Sequence, residues 1–210
     1  MEPADGKRRN GSLARSGTRI DADTAAVAAS VPRSFSEWLA ELIALGTVLV
    51  TAVVTLTVWP RLPARVPAHF SLSGQVDAWG SKNSLLVLLV ATVVIYGGLT
   101  FVSRFPRWFN YPVRVTADNL RAQYRLARWL LSWVKVAAVV LLSGMGLISV
   151  AIASGMERIL GLAPPRLTVI LVACGVVAEL TLIVAYIARA WAKQRVGMSR
   201  ADGVGRSAAT

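Results

Sequence analysis

The stretch Leu42–Pro60, LIALGTVLVTAVVTLTVWP, runs from Glu41 to Arg61 without a charged side chain. A helix crossing the hydrocarbon core of a bilayer needs about 20 such residues. Valine and threonine crowd the run and would favour a strand in water. Inside lipid, however, every backbone N–H and C=O must be satisfied within the segment, which selects the helix. Three stretches of the same kind come after it, from Lys82 to Arg104, from Lys135 to Glu157, and from Leu167 to Ala188 with Glu179 as its one interruption. The spacing predicts an all-α membrane protein with four transmembrane helices, at about 39–59, 84–103, 134–155 and 167–190.

Composition agrees. Of 210 residues, 55% are hydrophobic and 16% charged, with a mean hydropathy of +0.55, whereas about a quarter of a soluble domain is charged. The seven tryptophans, Trp38, Trp59, Trp79, Trp108, Trp129, Trp133 and Trp191, all fall near span ends or in connecting loops, where amphipathic rings favour the headgroup level. The formal charge of +12 is a topology signal. Six Lys and Arg precede Glu37, six lie from Arg104 to Arg128 and five from Arg189 onward, while the other two connections share five. Because these residues accumulate on the cytoplasmic side, both termini and the 104–133 loop are expected in the cytoplasm of a multi-pass plasma-membrane protein. Residues 1–36 and 193–210 are expected to be disordered tails flanking a membrane domain over 37–192. More than thirty mostly polar residues before the first apolar run read as the lead-in to a retained signal anchor, not a cleaved signal peptide.

Between the first two spans, the loop 60–83 carries Pro60, Pro63 and Pro67, which fix φ, remove N–H donors and take the chain out of the helix. The run His69 to Leu72 then meets a turn signal at Ser73-Gly74, with a second at Gly80. This predicts a compact, folded extracellular loop. Its residues Leu62-Pro63, Val66-Pro67, His69-Phe70, Gly74, Asp77, Gly80 and Lys82 resemble the pattern of a bacterial membrane family, the domain of unknown function 1648, which also forms the N-terminal part of Sdp-type immunity proteins. Asn110-Tyr111-Pro112, Asn119 and Tyr124 are similar to the segment C-terminal to the motif in that family. Ser71 stands where the family commonly has Asn, and the Arg-x-Pro-Trp type motif of the Sdp-type C-terminal region has no counterpart. For the Sdp-type branch the resemblance implies protection against a secreted peptide toxin and membrane signalling that holds a cytoplasmic repressor.

From the residues alone, the candidates in the loop are His69, Phe70, Gly74, Asp77 and Lys82. Imidazole is the side chain that changes charge near physiological pH, and Asp77 is expected to pair with His69 or with Lys82. Two readings stay open: a ligand- or ion-sensing cluster, or polar groups that hold a proline-rich loop in shape. One histidine and one carboxylate fall short of the three or four protein ligands of a zinc site, and the single cysteine, Cys174, excludes an intrachain disulfide. No metal and no cofactor is expected.

Inside the membrane, Glu179 is a functional candidate, since a charge near the bilayer centre costs at least ~2.5 kcal/mol. Lys135 is a candidate partner for it, although a lysine near a span end can also extend to the interface. Thr47, Thr51 and Thr55 recur every four residues and predict one polar stripe on the first span, available for helix packing or for a solute path. On the cytoplasmic side, Leu120, Tyr124, Ala127 and Leu131 recur at helical spacing with Arg121, Arg125 and Arg128 on another side, predicting an amphipathic interfacial helix before the third span.

The function this supports is a sensor or immunity-like protein that meets an extracellular peptide or envelope component through the loop 60–83, with a cytoplasmic regulator as a further candidate partner. The alternative is a small transporter or accessory subunit using Glu179 and the threonine stripe. Neither nucleic-acid binding nor enzymatic activity is expected, because the basic residues are spread over three segments and no paired carboxylates, phosphate loop or nucleophile–base order is present.

Overall fold

The computed structural model describes residue 26 and residues 30–105, 108–116 and 119–207, with side chains through Gln194. Four helices dominate it: α1 (Phe35–Val58), α2 (Asn83–Val102), α3 (Leu120–Ala153) and α4 (Pro164–Ser207). Each is long and apolar enough to cross a membrane, and the protein is a multi-pass membrane protein. Between α1 and α2 lie a 3-10 turn (Trp59–Arg61) and two strands, β1 (Arg65–Phe70) and β2 (Val76–Ser81).

The described chain divides into two compact units. One comprises Ser34–Thr100 and Trp129–Ala185; the other is built from the described parts of Met1–Arg33, Phe101–Arg128 and Tyr186–Thr210.

In the first unit, α1 begins at a capping box. The Ser34 hydroxyl accepts from the Glu37 N–H at 3.4 Å, and the Glu37 carboxylate accepts from the Ser34 N–H at 2.6 Å, a reciprocal arrangement that satisfies otherwise orphaned donors. This cap sets the helix start four residues before the expected span. The buried face of α1 reads Ala40, Ala44, Val48, Thr51 and Thr55, mostly small side chains of the kind that let membrane helices approach closely. On α3, Gly144 sits so near Leu171 of α4 that an added Cβ would lie 2.5 Å from its Cδ2.

The loop is a β-hairpin. β1 and β2 pair antiparallel with Arg65 opposite Ser81, Val66 opposite Gly80, and Pro67 opposite Trp79. The register then shifts, so that His69 faces Ala78 and Phe70 faces Val76. The irregularity accommodates Pro67, which cannot donate to a ladder. At the tip, Gly74 takes φ +77, its N–H donates to Ser71 O at 2.8 Å, and the Ser71 N–H donates to Gln75 O at 2.9 Å. An apolar cluster of Leu62, Val66, Leu85 and Val150, with Val58, Trp59 and Ala153 packed on it, ties the hairpin base to α1, α2 and α3.

Two expectations change. The amphipathic segment before the third span is the first part of one continuous helix, α3, since no glycine or proline interrupts 120–143. Its apolar face is not laid on a surface: Leu120, Tyr124 and Ala127 are buried in protein, and so is Arg128. At the C-terminus, α4 continues through Ser207, where a disordered tail from 193 was expected; extending a formed helix avoids the cost of nucleating one. Most of the tail expected over 1–36 lies outside the described residues. Its end is placed, with Val31 buried. α3 stops at a Schellman-type cap, with Gly155 at φ +80, Met156 N–H donating to Ala151 O and Gly155 N–H donating to Ile152 O, each at 3.0 Å.

Candidate functional site

The hairpin brings together the two loop residues with the richest chemistry. His69 and Asp77 stand on adjacent strands, and Nδ1 of the imidazole lies 2.6 Å from Asp77 Oδ1. Both side chains are well exposed, 70% and 44%, so the pair displays a polar group at the surface and is not the core of the hairpin. Lys82 does not join it. Its Nζ sits 5.0 Å from the centre of the Trp59 ring, a cation–π placement, while its backbone N–H donates to Ala64 O at 3.0 Å and closes the hairpin base. Gly74 is a structural residue of the tip: a Cβ there would fall on the backbone of Pro165, in the first turn of α4.

Beneath the hairpin, Pro67, Ala68, His69 and Phe70 form one wall of an open cleft of about 450 Å³. Ser84, Leu85, Val87, Leu88 and Ala91 of α2 and Leu142, Met145 and Ser149 of α3 form the others. Such a volume lies within the ~300–1,000 Å³ of small-molecule sites. Phe70 thus faces the cleft, whereas Trp79 remains half exposed.

A second cluster lies among the helices. Lys135 Nζ of α3 donates to Glu41 Oε2 of α1 at 2.6 Å and to Thr100 Oγ1 of α2 at 2.9 Å. Tyr96 of α2 donates its phenol to Glu41 Oε1 at 2.6 Å, and its ring lies 5.0 Å from the lysine Nζ. Lys135 therefore pairs with Glu41 and not with Glu179. Sequence reasoning used Glu41 only as the border of the first span and did not single out Tyr96 or Thr100. The signal that could have found them is depth: Glu41 and Lys135 both fall in the first turn of their expected spans, which run in the same direction.

The remaining intramembrane candidates are not gathered into one site. Thr47 donates back to Ile43 O at 2.8 Å, Thr51 is buried with its hydroxyl unpartnered, and Thr55 is buried. Glu179 falls on the α4 stripe Thr168, Leu171, Gly175, Glu179 and Leu182, which faces Leu141 and Gly144 of α3. Among the described residues it forms no hydrogen bond or ion pair with Lys135 or with the three threonines. Nor do the described residues contain a group of three His, Cys, Asp or Glu able to hold a metal ion.

In the second unit, Arg128 donates to Val31 O at 3.0 Å and to Pro32 O at 2.7 Å, and its guanidinium lies over the Tyr124 ring. Phe109 stacks on Tyr124 and neighbours Tyr111. Burial, then the neighbouring Tyr186 and Tyr124 phenols, push the Tyr111 phenol well above the usual tyrosine range. Gln123 is fully buried and donates to Ala190 O at 3.2 Å.

Four apolar helices with a β-hairpin joining the first two define a class of small multi-pass membrane protein. Residues 46–94, which run from within α1 through the hairpin into α2, match the family model described as a domain of unknown function, DUF1648. That segment of the chain is similar to the DUF1648 domain. An uncharacterized protein of Archaeoglobus fulgidus is 29% identical over 65 residues, a match covering 27% of this chain and 36% of that one. The chain thus spans about a third of the length of the curated relative it matches. No solved structure matches it.

Proposed function

We propose that this protein is a membrane sensor of immunity-like type, recognising an extracellular peptide or envelope component through the hairpin loop 60–83. The observation that carries the reading is the His69–Asp77 pair, held 2.6 Å apart on an exposed hairpin face above a largely apolar cleft. An exposed polar pair contributes little to folding, typically under ~1 kcal/mol, so stability alone is a poor reason to build one. The contact between the hairpin tip and the start of α4 supplies a route from the hairpin to the C-terminal segment, where a cytoplasmic regulator would read the signal. The reading is non-enzymatic and needs neither metal nor cofactor. The transporter reading gains no support, because Glu179 and the threonine stripe do not converge.

The test is deletion of the gene followed by challenge with membrane-active peptides and envelope-perturbing compounds, with complementation by wild type, His69→Ala and Asp77→Asn at matched membrane abundance. The expected result is a sensitivity that wild type rescues and the two variants do not. Unchanged sensitivity on deletion, with the protein shown to be expressed in the parent, counts against the proposal.

A further inference from the structure

The cleft under the hairpin changes character along its depth. Its mouth carries His69, Ser84 and Ser149. From Ser84 to Ala91 on α2, and from Ser149 to Leu142 on α3, the walls descend seven residues, about 10 Å at 1.5 Å per residue. Leu88, Ala91, Leu142 and Met145 line the lower part. One side is open, since Val87 is 69% exposed and is followed by exposed Val90 and Val94 on the same helix. This is a trough that starts at the polar end of the helices and enters their apolar section, with lateral access from the surrounding lipid.

The lower walls exclude a peptide backbone. Ser149 spends its hydroxyl on Met145 O at 3.1 Å, and the rest are hydrocarbon or thioether. A peptide N–H or C=O pushed to that depth would lose its hydrogen bonds without replacement. A hydrocarbon chain loses nothing there. The volume of about 450 Å³ lies within the ~300–1,000 Å³ of small-ligand sites, room for a hydrocarbon chain. The loop 60–83 that forms the hairpin carries Arg61, Arg65 and Lys82 against one carboxylate, Asp77, which is bonded to His69. That balance favours an anionic headgroup.

We propose that the cleft holds one acyl chain of an anionic phospholipid, with the headgroup at the hairpin. This rests on the reading of the hairpin as a recognition surface and names phospholipid as the envelope component that it recognises.

The full chain, in nanodiscs of phosphatidylcholine with a minor share of phosphatidylglycerol, is labelled with either lipid carrying a diazirine near the end of one acyl chain. Crosslinks from phosphatidylglycerol should concentrate on Leu88, Ala91, Leu142 and Met145. Ala91→Phe, which fills the deep end, should lower them by about tenfold, the effect of some 1.4 kcal/mol of lost binding. Val177→Phe, on an exposed part of α4, should leave them unchanged. Labelling spread evenly over all exposed helix faces, or equal yields from the two headgroups, overturns the proposal, and this wild-type map decides even if Ala91→Phe fails to accumulate. Displacement of the lipid by an apolar peptide that labels the same residues also overturns it. An even map together with a His69- and Asp77-dependent response to envelope stress leaves the sensor reading standing and removes the lipid; a concentrated map with no such response does the reverse.

Discussion

Lys135 Nζ and Glu41 Oε2 lie 2.6 Å apart, on α3 and α1, with the lysine side chain 3% exposed and the carboxylate 18%. Thr100 of α2 accepts from the lysine and Tyr96 of α2 donates to the carboxylate, so three helices meet at one polar point. A buried pair of this kind does not outdo a hydrophobic replacement in stability, because desolvation offsets the attraction. Its consequence is asymmetry: removing one partner strands the other.

Glu41→Gln or Lys135→Met alone should destabilise the protein by about 3–5 kcal/mol, read as a lower melting temperature in detergent and lower membrane abundance. The double variant Glu41→Gln/Lys135→Met should recover most of that loss. Equal damage from the single and double variants would mean that the pair does not act as a unit.

Gly74→Ala should release the hairpin tip. A left-handed φ costs a non-glycine residue about 1–3 kcal/mol, and the added Cβ falls on the Pro165 backbone. Spin labels at Ser73 and Arg166 should report a longer and broader distance in the variant, while the four helices stay intact by circular dichroism. A distance unchanged from wild type would show that the tip tolerates the methyl group.

His69→Ala and Asp77→Asn should each change thermal stability by less than ~1 kcal/mol, as expected for an exposed polar pair. A drop several times larger would return the pair to a role in shaping the loop, the other reading of these residues.

Gly144→Val should loosen the α3–α4 contact. Its side chain would enter the space of Leu171 Cδ2, which stands 2.5 Å from an ideal Cβ, and overpacking of this kind costs about 1–3 kcal/mol. Leu171→Ala in the same chain should restore part of the loss; no rescue would place the strain elsewhere.

Tyr111→Phe should remove a phenol that ionises late. With its folded proton affinity raised by burial first and by Tyr186 and Tyr124 after it, the stability tied to Tyr111 is present below the ordinary tyrosine value and declines as pH rises above it. In an alkaline titration monitored by phenolate absorbance, the variant should lack one late-rising component. Survival of that component would assign it to another tyrosine.

The four helices and the compact loop were legible because lipid leaves a chain few choices. Uncharged stretches of spanning length, tryptophans at their ends and prolines at Pro60, Pro63 and Pro67 are local facts with local consequences. The start of α1 was less legible, because the Ser34–Glu37 capping box lies in polar sequence ahead of the apolar run. The candidate site was half legible. His69 and Asp77 are eight residues apart, within one hairpin, and their pairing is expected once the turn at Gly74 is recognised.

What the sequence determined by itself is the membrane-protein class, the number of apolar helices and the position of the folded loop, since each depends on composition over a short window. The tertiary structure decided which charges meet. Lys135 had two carboxylates to choose from, Glu41 and Glu179, and took Glu41 because the two lie at matching depths on helices running the same way. It also decided that Arg128 is buried on the Val31 and Pro32 carbonyls and that the hairpin tip touches Pro165. Contacts between residues about ninety apart depend on how helices pack, and no window of sequence carries that information.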